Sequence, residues 1–114
     1  AAASILSNQV IAVLDMGYTL LEDCSFTRDE ALRATGQLVM RNIENVLEAG
    51  CDGALTGPIE RNDIETVKKH IACMQNDDSD DVRLYKMLGT KLVNIAEKKN
   101  PDKDYTQMME LLRG

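Results

Sequence analysis

The chain has 114 residues, 44% of them hydrophobic and 28% charged, a composition typical of one folded domain. Its net charge of −6 and its lack of Trp argue against a nucleic-acid binder, because such proteins use cationic patches and stacking rings. Cys24, Cys51 and Cys73 have no paired spacing, which predicts a reducing, cytoplasmic location. The longest continuous apolar run, residues 10–14, is far too short for a membrane span, so no membrane partner is expected.

The first predicted helix runs from near residue 1 to about residue 22. Apolar residues recur along it at helical spacing, namely Ile5, Leu6, Val10, Val13, Leu14, Leu20 and Leu21. Because residues 10–14 are apolar nearly all round, we expect this helix to be buried on several sides. The chain begins with Ala1 inside this helical pattern, which suggests a fragment of a longer protein.

The second predicted helix begins at a capping box formed by Thr27 and Glu30, in which each residue bonds the backbone amide of the other. The pair Thr35–Gly36 suggests a break within this helix. Gly50 is expected to end it, because glycine tolerates the positive φ that follows a helix.

Three further helices are predicted after an irregular corner at residues 51–61. Asn62 and Glu65 form a second apparent capping box, followed by a helix over about residues 63–75. Ser79 is the expected N-cap of a helix over about residues 80–99, and Asn100–Pro101 is expected to start the last helix. No segment alternates with the period of a strand. The predicted fold class is therefore all-α, a bundle of five to six helices forming one domain over residues 1–114.

Few residues form a recognisable catalytic or metal-binding pattern. His70 and Cys73 lie three residues apart on one predicted helix, a spacing that can chelate zinc, but no CxxC pair completes such a site. A surface histidine beside a half-buried cysteine is the alternative interpretation, and we expect no metal. The sequence has no Gly-rich dinucleotide or phosphate-binding fingerprint.

The corner itself is the most distinctive stretch. Gly57 allows close approach of the backbone, and Pro58 has the φ angle that begins a helical turn. Thr56 offers a hydroxyl, and Arg61 offers a cation for a neighbouring carboxylate or a bound anion. These residues are either a connection between two helices or one wall of a ligand site.

Two motifs resemble a known family. The stretch ALTGPIERND at residues 54–63, followed by Thr66-Val67 and His70, is similar to the C-terminal helical domain of a family of NADP-dependent oxidoreductases. The residues Ala1-Ala2-Ala3 and Ser7-Asn8 are similar to the start of that domain. Asn62 departs from the family, where glycine is commoner, and the histidine that precedes the alanines there is missing.

The resemblance implies an all-α domain of the 6-phosphogluconate dehydrogenase C-terminal type, in the layout of pyrroline-5-carboxylate reductase and ketopantoate reductase. Such a domain binds a small-molecule substrate, pairs into a homodimer and closes over NADP held by an N-terminal Rossmann domain, which this chain lacks. The implied substrate and cofactor cleft comprises Ser7, Asn8, Thr56, Gly57, Pro58 and Arg61. The chain alone is then expected to be inactive, and its substrate is not defined.

A freestanding helical self-association module without catalysis is the alternative. It accounts for the acidic charge, the high content of Met and Leu, and the lack of catalytic groups.

Overall fold

The computed structural model describes residues 1–74 and 80–114, and over this range the chain forms only helices, turns and irregular segments. The helices are α1 (Ala2–Ser4), a π-helical turn (Ile5–Gln9), α2 (Val10–Asp23), α3 (Arg28–Ala54), α4 (Ile64–Met74), α5 (Asp81–Lys99) and α6 (Thr106–Arg113). The all-α prediction is confirmed. The chain divides into two compact units, Ala1–Ile43 and Glu44–Gly114, which are described separately.

In the first unit, α1, the π-helical turn and α2 form one continuous helical segment, Ala2–Asp23, as predicted. The capping box before α3 is also confirmed. The Thr27 amide donates to Glu30 Oε1 at 3.0 Å, and the Glu30 amide donates to Thr27 Oγ1 at 3.1 Å. These bonds satisfy two amides that a helix start leaves without partners, and they hold the pKa of Glu30 below its usual range.

Arg28 joins the end of α2 to the start of α3. Its guanidinium donates to Asp15 Oδ1 at 2.9 Å, pairs with Glu22 Oε1 at 2.6 Å and lies 5.7 Å from the centroid of the Tyr18 ring. Loss of hydration lowers the pKa of Arg28, but the hydrogen bonds and the charges of Asp15 and Glu22 together raise it by more. The cation therefore fixes the connection between the two helices.

The predicted break at Thr35–Gly36 is wrong, because α3 continues through both residues. The Thr35 hydroxyl donates to the Ala31 carbonyl at 2.8 Å, four residues earlier, a bond that a helix interior accommodates. The interruption at Gly50 is confirmed, since its φ of 75° is non-helical, and a single turn follows it.

The expected burial of the first helix on several sides is wrong for this chain. Val10, Ile11 and Val13 are 37%, 63% and 40% exposed, and within the first unit only Ala31 is buried. Within the first unit, α2 is tied to α3 by the contacts of Arg28 with Asp15 and Glu22, which cover little of the apolar face of α2. The segment Ala2–Asp23 also passes the length and composition criteria for a membrane span, criteria that core helices of soluble proteins pass as well.

The second unit has a compact apolar core where α4, α5 and α6 meet. The core residues come from the corner and all three helices: Ile59, Val67, Ile71, Val93, Ala96, Tyr105, Met108 and Leu112. Gly89 allows α5 and α6 to approach closely, because a Cβ atom there would lie 2.8 Å from Leu112 Cδ2. Ile59 of the corner belongs to this core, so the corner packs directly against it.

Two predicted helix starts in the second unit are wrong. The N-cap of α4 is Asp63, which accepts from the Thr66 amide at 3.1 Å and from the Thr66 hydroxyl at 2.7 Å, while Asn62 bonds elsewhere. The last helix begins at Thr106, because residues 100–105 form a turn tied to the corner. The N-cap prediction for Ser79 lies outside the described residues.

Candidate functional site

Ser7 and Asn8 both lie in the π-helical turn Ile5–Gln9 and are exposed. The wider π register aligns residues five apart, and the Ser4 hydroxyl accordingly donates to Gln9 Oε1 at 3.0 Å. The Ser7 hydroxyl donates to the Ala3 carbonyl at 2.6 Å, which leaves its oxygen available as an acceptor. Single π-helical turns are rare and occur frequently at functional sites. The backbone is therefore irregular at the Ser-Asn pair that the sequence singled out.

Thr56, Gly57, Pro58 and Arg61 lie together in one tight turn of the second unit. The Arg61 amide donates to the Gly57 carbonyl at 3.0 Å, so Pro58 begins a single helical turn as predicted. Gly57 has a φ of 99°, a backbone conformation that side chains with a Cβ rarely adopt. Within residues 1–74 and 80–114, a Cβ at Gly57 would meet no atom within 4 Å. Glycine is therefore required for the conformation of the chain and not for lack of space.

Three residues near the C-terminal end of the sequence form hydrogen bonds to this corner. Lys99 Nζ donates to the Leu55 carbonyl at 2.6 Å, and the Tyr105 hydroxyl donates to the Glu60 carbonyl at 2.7 Å. Asn100 Nδ2 donates to Glu60 Oε1 at 3.1 Å and lies 3.0 Å from the Tyr105 hydroxyl. No local sequence pattern reveals these bracing residues, because they are 40 to 45 residues away from their partners.

Asn62 closes the corner in a positive-φ conformation, with φ of 61°. Its amide nitrogen donates to the Asp104 carbonyl at 2.8 Å, which fixes the orientation of the side chain, since the reversed amide would set two oxygens against each other. Its Oδ1 is buried and has no hydrogen-bond partner among the residues that the structure describes. This backbone angle suits the residue present, because Gly and Asn are the residues that adopt it most readily.

Arg61 is the cation on the outer side of the corner. Its side chain is 59% exposed and reaches Asp63 Oδ2 only at 4.0 Å. Asp63 is already engaged, since the hydroxyl and the amide of Thr66 hold the pKa of this carboxyl below its usual range and Arg61 adds to the effect. The Arg61 guanidinium therefore remains open to an anion in solution.

The predicted cleft residues thus form two groups. Thr56, Gly57, Pro58 and Arg61 are together in the second unit, and Ser7–Asn8 belongs to the first unit. Within the described residues, no group of three or more His, Cys, Asp and Glu side chains is placed to hold a metal ion. His70 Nδ1 instead lies 2.9 Å from the Tyr85 hydroxyl, and burial raises the pKa of Tyr85.

The chain matches the family described as "Domain of unknown function (DUF2520)" over residues 1–92, and it belongs to that family. The match includes both the Ser7–Asn8 turn and the corner at residues 54–63. No curated protein and no solved structure matches the chain.

Proposed function

We propose that this chain is the substrate-binding and dimerisation domain of an NAD(P)-dependent oxidoreductase, of the 6-phosphogluconate dehydrogenase C-terminal type. One observation carries the proposal. Both sequence motifs behind the resemblance coincide with unusual backbone: Ser7–Asn8 with a π-helical turn, and the corner with positive φ angles at Gly57 and Asn62. A π-helical turn and a positive φ at a residue other than glycine are uncommon, and both are frequent where proteins bind ligands.

The exposed groups fit a polar, anionic ligand. Arg61 offers a planar cation, which suits a carboxylate or a phosphate, and Thr56 offers an exposed hydroxyl in the same turn. In the first unit, the Ser7 oxygen is an acceptor and the Asn8 amide is both donor and acceptor. Each unit would thus contribute its own polar groups to binding of the substrate or of the nicotinamide end of NADP. Within the second unit, the hydrogen bonds from Lys99, Asn100 and Tyr105 hold the corner in place.

The residues of this chain do not fit the rest of the dinucleotide. A pyrophosphate is usually held where a Gly-rich turn joins a strand to a helix, and the described residues include no strand. A separate Rossmann domain would therefore supply NADP binding and hydride transfer, and this chain would contribute the other wall of the cleft.

A freestanding self-association module is the second candidate. The exposed apolar residues of α1–α3 favour it, because they would be buried when two copies pair. This candidate needs no cofactor and gives the corner a structural role only.

Calorimetry on the full-length gene product separates the two candidates, with the present chain titrated alongside as a matched control. We expect the reading frame upstream of Ala1 to encode a Gly-rich strand–turn–helix, and the full-length protein to bind NADPH while this chain does not. A full-length protein without affinity for NADPH would contradict the oxidoreductase proposal and leave the self-association module.

A further inference from the structure

An open cavity of about 770 Å³ lies between α5 and α6 in the second unit. Its lining includes Asn94, Glu97, Lys103, Met109, Glu110 and Arg113. Ligand sites in proteins commonly measure roughly 300–1,000 Å³, so this cavity is large enough for a small molecule. Its lining lies wholly beyond the family match over residues 1–92. The cavity is therefore separate from the Ser7–Asn8 turn and from the exposed side of the corner.

Four charged side chains in this lining have no ion pair or hydrogen bond within the described part of the chain. They are two carboxylates and two cations, namely Glu97, Glu110, Lys103 and Arg113. Glu110 and Arg113 stay apart on α6, although Glu65 and Lys68 form an ion pair on α4 at the same spacing and in the same order. Both kinds of charge are therefore available to a ligand that carries both.

The charges are distributed unevenly along the cavity. Glu97 and Lys103 lie next to the turn between α5 and α6, and Asp104 adds a second carboxylate there, so this end carries a net negative charge. Arg113 is the last residue of α6, and its planar guanidinium suits a carboxylate. A ligand with an ammonium group at the turn and a carboxylate at Arg113 matches this arrangement.

The distance between the two ends selects the length of the ligand. Thr106 and Arg113 are the first and last residues of α6, about 10 Å apart along the axis at about 1.5 Å per residue. A free amino acid is too short, whereas about three residues of extended peptide span this distance at roughly 3.3–3.6 Å each. Half-buried Met109 offers an apolar contact between the ends, and the Asn94 amide can bond to a peptide backbone.

We propose that this cavity binds a short peptide by its free termini, with the amino group near Glu97 and the carboxylate on Arg113. The site goes beyond the proposed function, since it involves neither NADP nor Arg61. Its existence does not depend on the redox chemistry of the protein.

The turn before α6 links this cavity to the corner. Asp104 and Tyr105 line the cavity, while the Asp104 carbonyl accepts from Asn62 at 2.8 Å and the Tyr105 hydroxyl donates to the Glu60 carbonyl at 2.7 Å. A ligand that binds the folded turn stabilises it against local opening, and these two bonds open less often as a result. Occupancy of the cavity should therefore slow amide exchange at residues 58–62.

Calorimetry with trialanine on the full-length gene product tests the binding. Arg113→Gln should raise the Kd for trialanine about 10-fold, because it removes a charge-assisted hydrogen bond. Trialanine amide lacks the carboxylate, so the same substitution should not weaken its binding further. Lys91→Gln is the matched control, since Lys91 is an exposed cation on α5 outside the cavity, and it should leave the Kd within about twofold.

Three results would overturn the site. Trialanine fails to bind, its N-acetylated amide or free alanine binds equally well, or Arg113→Gln leaves the Kd for trialanine unchanged.

Hydrogen exchange with saturating trialanine gives a second test that depends on no variant. Exchange should slow at residues 94–110 and also at residues 58–62, while α3 stays unchanged as a reference. Slower exchange at residues 94–110 alone would overturn the link between the cavity and the corner. NADPH takes no part in these experiments, so their failure is separate from a failure of the oxidoreductase proposal.

Discussion

The hydroxyl of Tyr105 donates a 2.7 Å hydrogen bond to the backbone carbonyl oxygen of Glu60, 45 residues earlier in the chain. Tyr105 is only 4% exposed, so the ring belongs to the core while its hydroxyl reaches the corner. Amphipathic rings commonly have this double role, because the buried hydroxyl needs a partner. The turn before α6 therefore determines the shape of the candidate site wall.

Replacement of Tyr105 by Phe should destabilise the second unit by about 1–3 kcal/mol, because the Glu60 carbonyl loses its donor in a part-buried place. Urea unfolding followed by circular dichroism measures the loss. Tyr85→Phe is the matched control, because its hydroxyl bonds to the exposed His70, and it should cost less than about 1 kcal/mol. Equal losses in the two variants would show that the Glu60 contact does not brace the corner.

Asn62 allows backbone strain to be separated from side-chain bonding. Asn62→Ala loses the bond to the Asp104 carbonyl and places a Cβ residue without a compensating side-chain bond at φ of 61°, so we expect a loss of about 2 kcal/mol. Asn62→Gly loses the same bond and the same buried Oδ1, but glycine tolerates the angle, so the loss should be about 1 kcal/mol smaller. Thermal unfolding compares the two. If alanine is the better replacement, the positive φ angle is not what selects the residue.

Acid should weaken the N-cap of α4. The pKa of Asp63 is lowered in the folded chain by its bonds from Thr66, so its carboxylate stabilises the fold above its unfolded pKa of about 4. That contribution is lost as the pH falls through the folded pKa. Asp63→Asn keeps a capping oxygen but does not titrate, so its melting temperature should fall less than that of the parent chain between about pH 5 and pH 2. Parallel curves for the two proteins would remove Asp63 from the acid response.

The acid dependence of the melting temperature can be tested in the same way at Asp104. Bonds from the Thr106 hydroxyl and amide lower its pKa in the same way, at the start of α6. Asp104→Asn should therefore also flatten the acid limb, and the double variant should flatten it further, since the two carboxylates bond to separate threonines.

Gly89→Ala should destabilise the second unit although alanine is the better helix former. The new methyl group would lie 2.8 Å from Leu112 Cδ2 and 3.4 Å from Ile59 Cδ1, both in the core. Overpacking costs about 1–3 kcal/mol and outweighs a propensity gain of about 1 kcal/mol. Chemical unfolding measures the balance, and a more stable variant would mean that Leu112 moves aside without cost.

Local signals in the sequence predicted most of the helices, and contacts between distant residues account for what they missed. The Thr27–Glu30 box and the positive φ of Gly50 are correct, because each depends on neighbours within a turn of chain. The residue type of Asn62 predicts an N-cap for α4, because Asn suits that role. Its side chain instead bonds to Asp104, 42 residues away, which no local pattern reveals.

In the candidate site, too, local motifs identify some residues, whereas others are brought in only by contacts between distant parts of the sequence. The resemblance singled out Thr56, Gly57, Pro58 and Arg61, and the structure places these four in one turn. The bracing residues Lys99 and Asn100 carry no motif, and only the folded core brings them to the corner. The π-helical register at Ser7 and Asn8 also has no local sequence signal, because residues 5–9 fit an ordinary helix equally well.

The central claim is that the Ser7–Asn8 turn and the corner face a bound cofactor and substrate. Hydrogen–deuterium exchange on the full-length gene product, with and without NADPH, tests it most directly. The account predicts slower exchange at residues 5–9 and 56–61 on binding, with α4 and α6 unchanged as internal references. Exchange that is unaltered at both segments, while NADPH demonstrably binds elsewhere in the protein, would contradict it.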